Sequence, residues 1–273
     1  DLRTTMQLGD GSIIANRTGV TTVSDFRTAD MSLGGQGAPL VPLFDAFLLA
    51  DPKRYRIAVN LGGIANITAI APAGLGVVAW DTGPANCISD ALCRLHGLGD
   101  FDPDGALAAE GSVDSKRLIK LLQEPYFSLS PPKSTGLEDF GRDFAERHFA
   151  GGELADLLRT SLALSAQSLV DSILLALENA PNTEIDIVFA GGGTSNLTLM
   201  EEIEERLVGD LRAAGRPRPK IESFADYGVP EDAREAVAFA YLADRTARGL
   251  AGSVPGTTGV SRAAVLGKIS LPS

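Results

Sequence analysis

RIAVNLGGIANITAIA, residues 56–71, is the stretch on which the fold turns. Two short β-rich runs flank Gly62-Gly63, the pattern of a β-hairpin in which glycine supplies the φ > 0 backbone of a tight turn. GVVAWD (76–81) reads as a third strand ending at Asp81. TGPANCISDALCRLHG then reads as a turn entering a helix, with Pro84 near the helix start, where its missing N–H costs little. Further on, EIDIVFA (184–190) has the composition of a buried strand, and GGGTSN and the helical LTLMEEIEERL follow it. Between these blocks, Leu154, Leu157, Leu158, Leu162, Leu169, Ile173, Leu174 and Leu177 mark a long amphipathic helix. KIESFA reads as another strand, and EDAREAVAFAYLADRTAR (231–248) as a helix with an apolar stripe. Upstream, GVTTVSDF (19–26) reads as a strand, MSLGGQGAPLVP (31–42) as a loop and PLFDAFLLA as a short helix. Strands alternating with helices predict an α/β fold.

The chain has 273 residues, 44% hydrophobic and 22% charged, enough for one large domain or two small ones. A formal net charge of -11 argues against broad attachment to nucleic acid or to an anionic membrane. No signal-type segment and no apolar run long enough to cross a bilayer stand out, so a soluble, cytoplasmic protein is expected. Cys87 and Cys93 form no CxxC pair and no Cys/His cluster, so no metal site is expected. His96 and His148 lack ligand spacing and read as structural.

Four motifs carry chemistry. NLGGIAN (60–66) lets backbone N–H groups approach an anion, because glycine has no Cβ in the way; a plain β-hairpin has the same sequence. DTGPAN (81–86) puts a carboxylate at the carboxyl edge of a sheet. Asp81 there suits a general base or a water-bridged Mg²⁺, and equally a helix cap. FAGGGTSNLTLM (189–200) is strand, glycines, helix, which suits a nucleotide lying on bare backbone. It is not GxGxxG, so a dinucleotide-type dehydrogenase is not signalled. In SDFRTADMSLGGQGAPL (24–40), Asp25, Arg27 and Asp30 offer the carboxylate and guanidinium partners that sugar hydroxyls or a substrate carboxylate take. The competing reading there is an ion pair between Arg27 and Asp30. PPKSTGLEDF (131–140) is a weaker candidate for phosphate or sugar contact, or a turn whose Ser or Thr caps a helix. Glu235 lies on an apolar helix stripe, where it would need a partner, unless it is simply exposed.

The order of these pieces resembles the anhydro-N-acetylmuramic acid kinase family. The resemblance rests on QLGDGSIIANRTGVTTVSDFRTADMSLGGQGAPLVP, NLGGIANIT, WDTGPANCISDA, DPDGALAAEG, PYFSLSPPKSTGLEDF, AGGGTSNLTLM and EAVAFAYLADR, which together span nearly the whole chain. It implies an α/β fold of the actin/Hsp70/hexokinase type, two lobes with ATP between them. Residues 1–55 would be the remnant of an incomplete first, sugar-binding lobe. Residues 56–273 would be the nucleotide-binding lobe, with the C-terminal helix returning to the cleft. It further implies that Asp81 is the base, that Asp25, Arg27 and Glu235 hold the sugar, and that Gly62, Gly63, Gly83, Gly191, Gly192, Gly193 and Asn196 hold the nucleotide. ATP and Mg²⁺ would be the cofactors and an anhydro sugar the substrate; a homodimer is a family-level expectation. The implied reaction makes N-acetylmuramic acid 6-phosphate with hydrolytic opening of the anhydro ring. Levoglucosan or another 1,6-anhydro sugar as substrate, or a catalytically dead binding remnant, are the alternatives. Ala85 stands where the family usually has a second Gly, and Leu137 where Arg is common. The family's opening GTSxDGxD hairpin is absent, so the chain as given is expected to be weak as a kinase, with an unpaired edge in its first lobe.

Overall fold

The computed structural model describes residues 5–74, 76–230 and 233–273. The chain opens with α1 (Gly11–Thr18), β1 (Thr22–Ser24), α2 (Arg27–Ser32) and α3 (Pro42–Leu49). A meander follows: β2 (Tyr55–Leu61), β3 (Ile64–Ile70) and β4 (Val77–Pro84). Then come α4 (Cys87–Leu95), α5 (Ala106–Glu110), α6 (Ser115–Leu121), α7 (Leu137–Phe140), α8 (Arg142–His148) and the long α9 (Leu154–Leu177). The last part holds β5 (Ile185–Ala190), α10 (Leu197–Ala213), β6 (Lys220–Ser223), α11 (Arg234–Ala247), α12 (Pro255–Thr258) and β7 (Lys268–Ser270). The two leading residues of the helix expected over 231–248 lie outside the described residues.

β2 and β3 form the expected hairpin, with Arg56 opposite Ile70 and Leu61 opposite Ala65. The turn departs from expectation in one respect: neither Gly62 nor Gly63 has a positive φ. β4 lies antiparallel to β3, and β5 runs parallel to β2 on the other side, with β6 beyond it. The sheet order is β4-β3-β2-β5-β6, a mixed sheet, so the α/β class is as expected. β4 overruns the expected end at Asp81 by three residues. Pro84 is its last residue and not part of a helix start, because the N–H groups of Ala85 and Cys87 reach back to the Gly63 carbonyl at 2.8 and 3.0 Å and prolong the pairing. Proline is tolerated there because β4 is an edge strand.

Strand alternation separates the two faces. Ile57, Val59 and Leu61 of β2, Ile67 of β3, Trp80 of β4 and Ile187 of β5 enter the main core with α4, α9 and α10. Each such aliphatic side chain contributes roughly 1.5–3 kcal/mol by burial. By length and composition α9 could cross a membrane, contrary to the sequence expectation, but 72% of its most apolar window is buried inside the protein, where it serves as the core helix. On the opposite face a smaller cluster joins Ala58, Ile70, Val188 and Ala190 to Leu49 and Phe224.

The N-terminal segment is less extended than its β-branched residues suggest. Asp10 caps α1 through the N–H groups of Ser12 (2.7 Å) and Ile13 (3.2 Å), a helix the sequence reading did not pick out. The strand expected over 19–26 shrinks to β1, paired antiparallel with β7 at the far end of the chain.

Candidate active site

The hairpin register builds the site. Asn60 stands opposite Asn66, and Asn66 opposite Asp81. Cross-strand partners share a face, so these three side chains form a polar row on the side away from the main core. The register shifts between Ala65 and Asn66, where Thr82 is the extra residue of a bulge. Such a bulge re-aims the strand locally. Asn60, Asn66, Asp81 and Thr68 all line a cleft of about 480 Å³.

Asp81 is held by the PPKSTG segment. Its N–H donates to the Lys133 carbonyl at 3.0 Å, its carbonyl accepts the Tyr126 hydroxyl at 2.6 Å, and its carboxylate accepts the Thr135 N–H at 3.0 Å. The Lys133 ammonium sits 4.6 Å from the Tyr126 ring centroid. Burial pushes the Asp81 carboxyl above its usual value, and the Thr135 N–H partly offsets that. The helix-cap reading of Asp81 does not hold, because the cap position of α4 is Asn86.

The glycines divide into two kinds. Gly191 has φ +94, and a Cβ on it would stand 2.4 Å from the Leu61 carbonyl oxygen. A Cβ on Gly193 would meet Asn86 at 2.6 Å, and one on Gly83, at φ +144, would meet Phe127 at 2.9 Å. The fold itself requires these three. Gly192 is different: it lines the cleft, its φ is ordinary, and a Cβ there would meet nothing within 4 Å. Gly62 also lines the cleft, and a Cβ there would touch only the Ile64 carbonyl at 3.5 Å. A Cβ on Gly63 meets only ordinary contacts, and this residue opens on a neighbouring cavity beside α4. Gly62 and Gly192 thus leave bare backbone toward the cleft where the fold does not demand it. Asn196 uses its side chain structurally: its carbonyl caps α10 at the Leu199 N–H (3.0 Å) and its amide donates to Asn86 (3.0 Å).

On the other wall, Arg27 and Glu235 line the cleft. The expected Arg27–Asp30 ion pair is not formed: Arg27 donates to the Gly37 carbonyl at 2.8 Å, while Asp30 accepts the Gly37 N–H and the Thr258 hydroxyl. Asp25, at φ 55, lies outside the lining, its carboxylate taken by Lys268 and Thr28. Glu235 is exposed and forms no salt bridge among the described residues. The buried pair Asp45 and Arg234, also in the lining, escaped the sequence reading. Asp45, 0% exposed, accepts two hydrogen bonds from Arg234, at 3.1 and 2.6 Å, and one from Thr68 at 2.9 Å. The guanidinium of Arg234 also lies 4.6 Å from the Phe224 ring centroid. The signal was present as a lone Asp inside the apolar PLFDAFLLA.

A sequence model described as anhydro-N-acetylmuramic acid kinase matches residues 1–272. The chain belongs to the anhydro-N-acetylmuramic acid kinase family. A relative of that name from Caldanaerobacter subterraneus subsp. tengcongensis is 38% identical over 99% of this chain and 68% of its own length. One from Xanthomonas axonopodis pv. citri is 43% identical over 97% of this chain and 68% of its own length. Among solved structures, a xylulose kinase from Rhodospirillum rubrum superposes with a TM-score of 0.41 at 16% identity, over 85% of this chain and 44% of the other. Membership of the anhydro-N-acetylmuramic acid kinase family places the chain among carbohydrate kinases.

Proposed function

We propose that this chain performs ATP-dependent phosphorylation of 1,6-anhydro-N-acetylmuramic acid with hydrolytic opening of the anhydro bridge. The observation that carries the reading is Asp81, a partly buried carboxylate in the same cleft as the bare backbone of Gly62 and Gly192. Residues 1–55 supply the sugar side, and residues 56–273 the nucleotide side, with α11 returning to the cleft. Arg27 and Glu235 hold the sugar directly. Asp25 belongs to the same side, behind the lining.

ATP fits the glycine pattern, since a phosphate needs backbone N–H groups with no Cβ above them. Gly62 and Gly192 take the close approach. Gly63, Gly83, Gly191, Gly193 and Asn196 shape the loops that present them. Mg²⁺ carried in on the phosphates of ATP would offset their charge during phosphoryl transfer. Among the described residues no group of three or more His, Cys, Asp or Glu is placed to hold a metal by itself.

Asp81 takes a proton from a water, whose oxygen bonds to the anomeric carbon. The bond from that carbon to O6 breaks. O6 then attacks the γ-phosphorus, and the bond to the β-γ bridging oxygen breaks to release ADP. The products are N-acetylmuramic acid 6-phosphate and ADP, with the proton left on Asp81 and then lost to solvent. Positioning and charge stabilisation supply most of the acceleration.

The test is to incubate the chain, alone and preceded by a GTSxDGxD-type segment, with ATP-Mg²⁺ and the anhydro sugar, with levoglucosan in parallel. Formation of the 6-phosphate of the amino sugar in either form supports the proposal. Product from levoglucosan alone changes the substrate, and no product from folded protein in either form overturns the reading.

Two further outcomes are expected. Gly192→Val should leave the melting temperature nearly unchanged and weaken ATP binding, because the new side chain enters only the cleft. Gly191→Val should lower the melting temperature, because its Cβ would press on the Leu61 carbonyl. Titration calorimetry with ATP and thermal unfolding separate the two; equal ATP affinities in wild type and Gly192→Val would remove Gly192 from the nucleotide site. The rate should also fall on the acid side as Asp81 is protonated, since only the carboxylate accepts a proton. Burial raises that pKa above 3.8, so the fall should begin at a higher pH than for an exposed Asp, and kcat measured against pH reads it.

A further inference from the structure

Asp30 is 0% exposed, yet among the described residues no Lys or Arg forms a salt bridge with it. A buried carboxylate is costly unless its oxygens are hydrogen-bonded. One Asp30 oxygen accepts the Gly37 N–H at 2.8 Å, and the other accepts the Thr258 hydroxyl at 2.7 Å. The intervening loop is shaped around that carboxylate. A Cβ on Gly35 would stand 2.1 Å from it, and Gly37, at φ +74, would drive a Cβ to 2.9 Å from Met31. The Gln36 N–H donates to the Thr258 carbonyl at 2.9 Å, so α12 holds the loop at a second point.

The loop ends on groups that face the chemistry. The Gly37 carbonyl accepts Nη1 of Arg27 at 2.8 Å, and Arg27 lines the cleft. The Gln36 side chain accepts the Ser134 hydroxyl at 3.2 Å, next to Thr135, whose N–H holds Asp81. A chain of hydrogen bonds thus runs from α12 through Asp30 and Gly37 to Arg27.

We propose that Asp30 is a positioning residue for the sugar: it fixes the Gly37 peptide, and that peptide fixes the guanidinium of Arg27. The proposal rests on the reading that places the sugar at Arg27. Charge on Asp30 is incidental to this role; what matters is an acceptor held at one place beneath the loop. Small displacements of a binding group cost about 10-fold to 100-fold in affinity or rate.

The test is a mutant cycle read by calorimetric affinity for anhydro-N-acetylmuramic acid, with ATP affinity measured on the same samples. Arg27→Ala alone reports whether the sugar is at Arg27. Asp30→Ala should weaken the sugar by about 10-fold or more, leave ATP affinity unchanged, and add little to the loss in the Arg27→Ala background. If Asp30→Ala does not fold, Thr258→Val removes one donor and leaves the carboxylate in place; a smaller loss with the same dependence on Arg27 is expected. Losses that add in full, or a parallel loss of ATP affinity, overturn the proposal. An unchanged affinity in Arg27→Ala removes the underlying reading, and the role of Asp30 with it.

Discussion

Asp81→Asn should lower turnover by about 10²–10⁴-fold, the range for loss of a general base, with ATP affinity unchanged. Asn keeps the shape of the carboxylate and can still accept the Thr135 N–H that holds Asp81 at 3.0 Å. What it loses is the ability to take a proton from water. Its stability should be equal or higher. The folded pKa of Asp81 is raised above 3.8 by burial, so the protonated form favours the fold at low pH. That advantage is lost as pH rises through the folded pKa, and at neutral pH the ionised group stands as an unfavourable partly buried charge. An amide removes that penalty. Steady-state kinetics beside thermal unfolding at neutral pH make the measurement. Retained turnover in a folded Asp81→Asn protein would take the base role away from Asp81. Lost turnover together with a much lower melting temperature would point to a structural role instead.

The hairpin, the parallel strand before the glycine run and the long core helix were legible because their signals are local. Alternation in β2 and β3 and the leucine spacing of α9 each lie within one element. The role of the glycines was only half legible. The sequence marks Gly62 and Gly63 as turn residues, but their φ values are ordinary, and their freedom from contacts appears only when neighbouring strands are in place. The continuation of β4 through Pro84 depends on the Gly63 carbonyl in the turn between β2 and β3, which no window around DTGPAN contains. The partners of Asp30 are hidden from the sequence for the same reason, and only its ion-pair alternative is overturned. Arg27 is close in sequence, while its actual partners are Gly37 and Thr258, the latter 228 positions away. Short-range pairing is the easiest inference from sequence, and it fails where a loop folds over a buried acid.

Arg234→Met should destabilise the chain by about 3–5 kcal/mol, the cost of leaving one member of a buried pair uncompensated. Arg234 is 7% exposed and Asp45 0%, and two hydrogen bonds join them. The pair links α3 to α11, and Thr68 ties it to β3 from below. Without the guanidinium, the Asp45 carboxylate retains only the Thr68 hydroxyl among these partners. Burial already pushes its pKa upward, and loss of Arg234 removes the opposing pull. The penalty should therefore shrink as pH falls and Asp45 takes up a proton. The double variant Asp45→Leu/Arg234→Met removes both charges and should recover most of the loss, since an apolar pair of similar volume often replaces a buried ion pair without cost. Urea unfolding of the two single variants, the double variant and wild type at two pH values gives the coupling directly. Equal destabilisation in Arg234→Met and in the double variant would mean that packing against Phe224, 4.6 Å from the guanidinium, is what Arg234 supplies. If the pair is the main term, Arg234→Met should also weaken sugar binding in protein that remains folded, because Glu235 follows Arg234 at the first turn of α11 and lines the same cleft.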